Sequence, residues 1–115
     1  MKKLFISSPM KGLSEEDIKE MRESMRKIAE AVFDEEFEVI DSYIKEDPPK
    51  DTNEGLYYLG ESLKKMAEAD YYIGIDIGYD TDFHGCWIEN QAANKYGINR
   101  YLFNFDKVYV NTDKD

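Results

Sequence analysis

The stretch from Asp70 to Phe105, DYYIGIDIGYDTDFHGCWIENQAANKYGINRYLFNF, decides the fold of this chain. Tyr71 to Ile77 is rich in aromatic and β-branched residues, the composition of a buried strand. Gly78 to Phe83 carries Asp80, Thr81 and Asp82 without an apolar period, which marks a loop. Gly85 opens a predicted helix that runs through Tyr96, Gly97 supplies its stop, and Tyr101 to Phe105 is the next strand. Such a βαβ unit sets its loop and the N-terminus of its helix at the carboxyl edge of a parallel sheet, where open α/β folds take ligands. Glu89 sits in the first turns of that helix, near His84, Cys86 and Trp87, and is the acid at which chemistry is expected.

Upstream the same alternation repeats. Lys3 to Ser7 reads as a short apolar strand that runs into the small, turn-forming segment Ser7-Ser8-Pro9-Met10-Lys11-Gly12. Ser14 is an N-cap candidate, with Glu15, Glu16 and Asp17 where a helix dipole favours acids. Ile18, Met21, Met25, Ile28, Ala29 and Val32 fall at helical spacing and predict the buried face. Lys19, Glu20, Glu23, Lys27 and Glu30 form the face expected in solvent. Phe37 and the run Glu38 to Asp41 predict a second strand, and Tyr43 to Gly55, with Pro48-Pro49, a long surface loop. Leu56 to Ala69 predicts a second amphipathic helix that buries Leu56, Leu59, Leu63 and Met66. The segment 106–115 is expected to be a polar tail, or a short edge strand at Val108 to Val110, after a single domain spanning 1–105. Strand and helix thus alternate as βαβαβαβ, the pattern of a parallel α/β sandwich.

Composition narrows the function classes. A chain of 115 residues makes one domain with one core, and at 42% apolar residues it is not expected to be disordered. A net charge of −10 argues against a nucleic-acid surface, which needs a basic patch. No apolar run is long enough to span a bilayer, and MKKLFISS lacks a signal-peptide core. One cysteine forms no internal disulfide, which fits a reducing cytoplasm, and one His with one Cys makes no transition-metal site. Neither a metal nor a cofactor is expected.

Two loops should meet at the carboxyl edge. Ser7, Ser8, Pro9, Met10, Lys11 and Gly12 lead into a helix N-terminus and offer hydroxyls, a cation and backbone N–H groups to an anion. Asp82, His84, Gly85, Cys86 and Trp87 line the other side. Trp87 is a stacking platform or a packed aromatic; His84 is a loop imidazole; Cys86 has no basic neighbour beyond His84 and is not expected to be reactive. Glu89 is a nucleophile or general base if it faces an enclosed site, and an ordinary helix-start glutamate if it does not.

The segments LFISSPMKG, YLGESLKKMAEAD and GCWIENQAANKYGI resemble the nucleoside 2-deoxyribosyltransferase-like superfamily, and more closely its small phage and bacterial members, over Lys2 to about Phe105. The resemblance implies a flavodoxin-like three-layer sandwich with a mainly parallel sheet of four to five strands. It also implies action on the N-glycosidic bond of nucleosides or nucleotides, in pockets that neighbouring subunits complete. Glu89 matches the family's nucleophile, and the Ser7 to Gly12 loop matches the segment that holds phosphate in the deoxynucleoside 5′-monophosphate N-glycosidases. Two positions depart from the pattern. A supporting aspartate, eight positions before Asp70, is Ser62 here, and a tyrosine that orients the nucleophile is Phe5. The loop between Asp70 and Glu89 is longer than in the glycosidases, with room for a larger ligand.

Two functions follow. The first is a nucleotide-binding protein that holds, without turnover, a nucleotide-like ligand such as a cyclic dinucleotide or a cyclic ADP-ribose-type signal, as a sequestering protein in a phage setting would. Lys11 and the helix dipoles, then Lys95 and Arg100, are the expected positive charge. The second is an N-glycosidase or deoxyribosyltransferase with Glu89 as nucleophile, in which Glu61, Asp82 or a neighbouring subunit replaces the acid missing at Ser62. An electron carrier or receiver domain fits less well, since no acidic cluster ends the first strand and no flavin loop is present. Tyr43, Tyr57, Tyr58 and Tyr79 are of the kind that anchors a homo-oligomer interface.

Overall fold

The computed structural model describes residues 1–9, 12–42, 46–76 and 84–103. Seven elements alternate along them: β1 (Lys2–Ile6), α1 (Glu15–Phe33), β2 (Phe37–Val39), α2 (Glu54–Met66), β3 (Tyr71–Ile75), α3 (His84–Lys95) and β4 (Asn99–Phe103). The strands form one sheet in the order β2-β1-β3-β4, every pair parallel. Lys2 lies opposite Phe37, Phe5 opposite Tyr72, and Ile73 opposite Tyr101. The expected α/β sandwich is thus observed, with four parallel strands among the described residues and a flavodoxin-like arrangement.

Successive strand residues point to opposite faces, and the two faces carry separate cores. Leu4, Ile6, Ile73, Ile75, Phe37 and Phe103 pack with Met25 and Ala29 of α1 on one face. Phe5 and Tyr72 pack with Met66 of α2 and Ala93 of α3 on the other. Because α1 and α3 leave β1 and β3 on opposite faces, the chain reverses its winding between these two central strands. Their carboxyl ends therefore flank the crevice characteristic of open α/β sheets.

Local chemistry sets the element ends. The Ser14 hydroxyl accepts the Asp17 N–H at 3.1 Å, the N-cap read from the sequence, with three acids in the first turn. Asn53 caps α2 by accepting the Leu56 N–H at 3.0 Å. Gly97 ends α3 in the left-handed region at φ 73°, where glycine carries no side-chain penalty.

Several expectations are corrected. Val32 is 45% exposed rather than buried: α1 makes its last contact through Phe33, whose ring packs against Phe37 and Tyr71 at centroid distances of 6.1 and 4.7 Å. Leu56 is 64% exposed, because α2 starts at Glu54 and burial rises only towards Met66. Glu30 is no bystander on a solvated face; it accepts the Phe37 N–H at 3.0 Å and pairs with Arg26 at 2.6 Å, tying α1 to β2. β1 begins at Lys2, β2 stops at Val39, α2 stops at Met66, α3 starts at His84, and β4 starts at Asn99, directly after the Gly97 turn. The predicted strand end at Ile77, the loop 78–83, Tyr43, Tyr79 and the segment 104–115 with its edge strand lie outside the described residues.

Candidate functional site

Ser7 lies two residues beyond Phe5 and so faces the α2/α3 side of the sheet. Its N–H continues the parallel ladder to the Ile73 carbonyl at 2.9 Å. Its hydroxyl donates to Oε1 of Glu89 at 2.7 Å. From α2, the Ser62 hydroxyl donates to Oε2 of the same carboxylate at 2.5 Å. Three elements thus converge on Glu89, which is 8% exposed. Each carboxylate oxygen thus accepts one hydroxyl, and a carboxylate oxygen has a second lone pair besides.

The electrostatics match this geometry. Burial pushes the Glu89 carboxyl above the usual range, against the Ser62 and Ser7 hydrogen bonds and the Arg22 guanidinium, which pull it down. Arg22 is half-buried on α1, donates to the carbonyl of Ile6 at 3.2 Å, and feels both Asp41 and Glu89. Cys86 lies one turn before Glu89, and burial pushes its thiol up to about 11, the inert form expected of it.

The remaining residues named from the sequence divide cleanly. Ser8 is buried and its hydroxyl has no hydrogen-bond partner among the described residues; Pro9 is half-buried. Gly12 is exposed in the left-handed region at φ 80°. His84 is exposed at the first position of α3, while Gly85, Cys86 and Trp87 are half-buried in its first turn. Met10, Lys11 and Asp82 lie outside the described residues. Arg100 is exposed and donates to Asn90 at 2.8 Å. Glu61 does not take over from Ser62: it pairs with Lys64 at 3.0 Å on the surface.

Three participants escape a reading by motif. Arg22 occupies the apolar stripe of α1, between Ile18 and Met25, and a charge at that register was the available signal. Tyr72 is fully buried and stacks on Phe5, with ring centroids 6.0 Å apart and planes at 7°. Its neighbour on the same strand face, Gly74, leaves room for the phenol. A buried phenol hydroxyl thus stands on the strand next to Phe5.

Among the described residues, no cluster of His, Cys, Asp or Glu could hold a metal ion, and no helix is long and apolar enough to cross a membrane. Compared with known proteins, the chain matches no protein-family model, no curated protein and no solved structure at a significant level.

Proposed function

We propose that this chain binds a nucleotide-like ligand at the Glu89 site and holds it without turnover, in pockets completed by a second copy. The observation that carries the reading is Glu89 itself, a buried carboxylate fixed by Ser7 and Ser62 at the carboxyl edge between the two central strands. Carboxylates so placed accept paired hydroxyls, as on a ribose, while the half-buried Trp87 suits a flat base and the residues from Ser7 to Gly12 have the composition to meet an anion. Holding is favoured over cleavage because, among the described residues, the groups bearing on Glu89 are the Ser7 and Ser62 hydroxyls, the Arg22 guanidinium, the Tyr72 phenol and the Cys86 thiol. None of these described groups is a second carboxyl, the proton donor and acceptor that two-carboxylate glycoside cleavage uses. Support for a second copy comes from α2, which carries Ser62 and shows Leu56 and Tyr58 at 64% and 37% exposure.

One observation favours cleavage by an N-glycosidase or deoxyribosyltransferase: a carboxylate pinned on both oxygens is aimed as a nucleophile must be. Glu89 would attack the anomeric carbon, the base would leave with a proton, and water or a second base would release the sugar from the ester. The leaving-base proton then comes from outside the described residues, with Asp82 the candidate.

One experiment separates the two. Wild type and Glu89→Gln are incubated with nucleosides, 5′-monophosphates, cyclic dinucleotides and cyclic ADP-ribose isomers, then denatured and chromatographed. Intact ligand released from both proteins supports holding. Free base formed only by wild type replaces it with cleavage, and neither retained ligand nor free base from any compound overturns both. Light scattering that gives a monomer with ligand bound removes the shared pocket.

A further inference from the structure

Phe5 stands opposite Tyr72 and Ile6 opposite Ile73, so the next step of the parallel register sets Ser7 beside Gly74. The Tyr72 ring lies along its own strand over Gly74: a Cβ there would stand 2.6 Å from the phenol oxygen and 2.9 Å from Cε1. Gly74 is thus the gap through which Tyr72 reaches the end of the sheet beside Ser7. There the phenol hydroxyl is wholly buried and, among the described residues, has no hydrogen-bond partner. A core that needed only the ring would be served by phenylalanine, which β1 supplies at Phe5. Burial also pushes the Tyr72 hydroxyl well above its ordinary pKa, with Glu89 acting in the same direction and Ser7 against it, so it keeps its proton and serves as a donor.

We propose that Tyr72 is a positioning residue for Glu89. The phenol donates to Oγ of Ser7, a small rotation of either hydroxyl closing the contact, while Ser7 donates to Oε1 of Glu89. The phenol thereby polarises Ser7 and strengthens its donation to the carboxylate without itself touching Glu89. No proton is transferred. The inference deepens the reading of Glu89 as the ligand-facing carboxylate and rests on it, and its test needs no ligand.

The test is a carboxyl ¹³C titration of Glu89, assigned by its loss in Glu89→Gln. Among the described residues the groups that face this carboxyl are Ser7 just after β1, Arg22 on α1, Ser62 on α2, Tyr72 on β3 and Cys86 on α3. In Tyr72→Phe the midpoint is expected to rise by roughly half a pH unit, with folding stability kept. In a Ser7→Ala background the same substitution is expected to change nothing, because the link is gone. Gly74→Ala keeps the hydroxyl but denies the ring its place, and should raise the midpoint as Tyr72→Phe does. An unchanged midpoint in Tyr72→Phe, an equal rise with and without Ser7, or a Tyr72→Phe chain that does not fold would each overturn the proposal. A ligand panel in which nothing binds would overturn the function above and leave this coupling standing.

Discussion

Ser62 on α2 and Glu89 on α3 meet hydroxyl to carboxylate at 2.5 Å, joining the two helices that cover one face of the sheet. A serine at this position thus binds the carboxylate directly, as a donor and not as an acid. Its truncation would leave Oε2 of a buried, charged group without a hydrogen-bond donor among the described residues. Ser62→Ala is expected to cost about 1.5–3 kcal/mol at pH 7, the range for hydrogen bonds to charged groups. The cost should shrink in acid, where Glu89 is protonated and the lost bond is a neutral one. Urea unfolding at pH 7 and pH 4 measures both values.

Glu89 itself should weaken the fold at neutral pH. Burial holds its carboxyl above the ordinary range, so between that range and the raised value the native state carries more protons than the unfolded chain. Stability from this group is therefore complete below the unfolded pKa and is lost as pH rises through the folded one. Glu89→Gln keeps the shape, and its amide oxygen can still accept from one serine. The variant is expected to be more stable than wild type at pH 7, by roughly 1 kcal/mol for each pH unit by which the carboxyl is raised. The advantage should vanish near pH 4. A variant less stable than wild type at pH 7 would contradict this account.

The βαβ pattern, the Ser14 cap and the Gly97 stop were legible because each is a local signal: an apolar period, a short hydroxyl before acids, a glycine after the last turn. The place of Glu89 in the first turns of a helix after a buried strand was legible too, but its burial was not, since the same pattern fits an exposed helix-start glutamate. What escaped was set by three-dimensional packing. Val32 has the right period and no sheet beneath it. Glu30 looks solvated until β2 presents the Phe37 N–H. Ser62 and Phe5 suggested lost support for Glu89, since sequence compares like with like. The structure places a Ser62 hydroxyl directly on the carboxylate and a phenol on the neighbouring strand. Arg22 and the Tyr72–Gly74 pair carried readable signals, a charge inside an apolar stripe and a bulky residue two before a glycine. Neither has meaning until the strand order is known.

Cys86 offers a check on burial at the site that does not depend on a ligand. Its thiol is pushed up to about 11 by burial, with Glu89 adding to the effect and Ser7 opposing it. At pH 8 roughly one thiol in a thousand is then ionised, against about a quarter in an unfolded chain. Alkylation of the native protein by iodoacetamide should run about a hundredfold or more below the rate in denaturant. Glu89→Gln removes the nearby negative charge and should speed the native reaction. Equal rates in the folded and unfolded chain would show that the first turn of α3 does not shelter this thiol.

The last prediction concerns the gap at Gly74. The strand is buried on both sides there, and a methyl group would fall 2.6 Å from the Tyr72 oxygen and 3.0 Å from Cζ. The ring cannot swing freely, because its other face lies on Phe5 in a near-parallel stack. Gly74→Ala is therefore expected to destabilise by about 1–3 kcal/mol, the cost of overpacking a filled core. Tyr72→Phe should relieve only part of it, since the ring carbons at 2.9 and 3.0 Å remain in the way. Tyr72→Leu, which removes the ring, should make Gly74→Ala nearly neutral when the two are combined. A double-mutant cycle by urea unfolding reads the coupling. If the cost of Gly74→Ala is the same with leucine at position 72, the loss comes from the backbone, and the glycine is not there to seat the phenol.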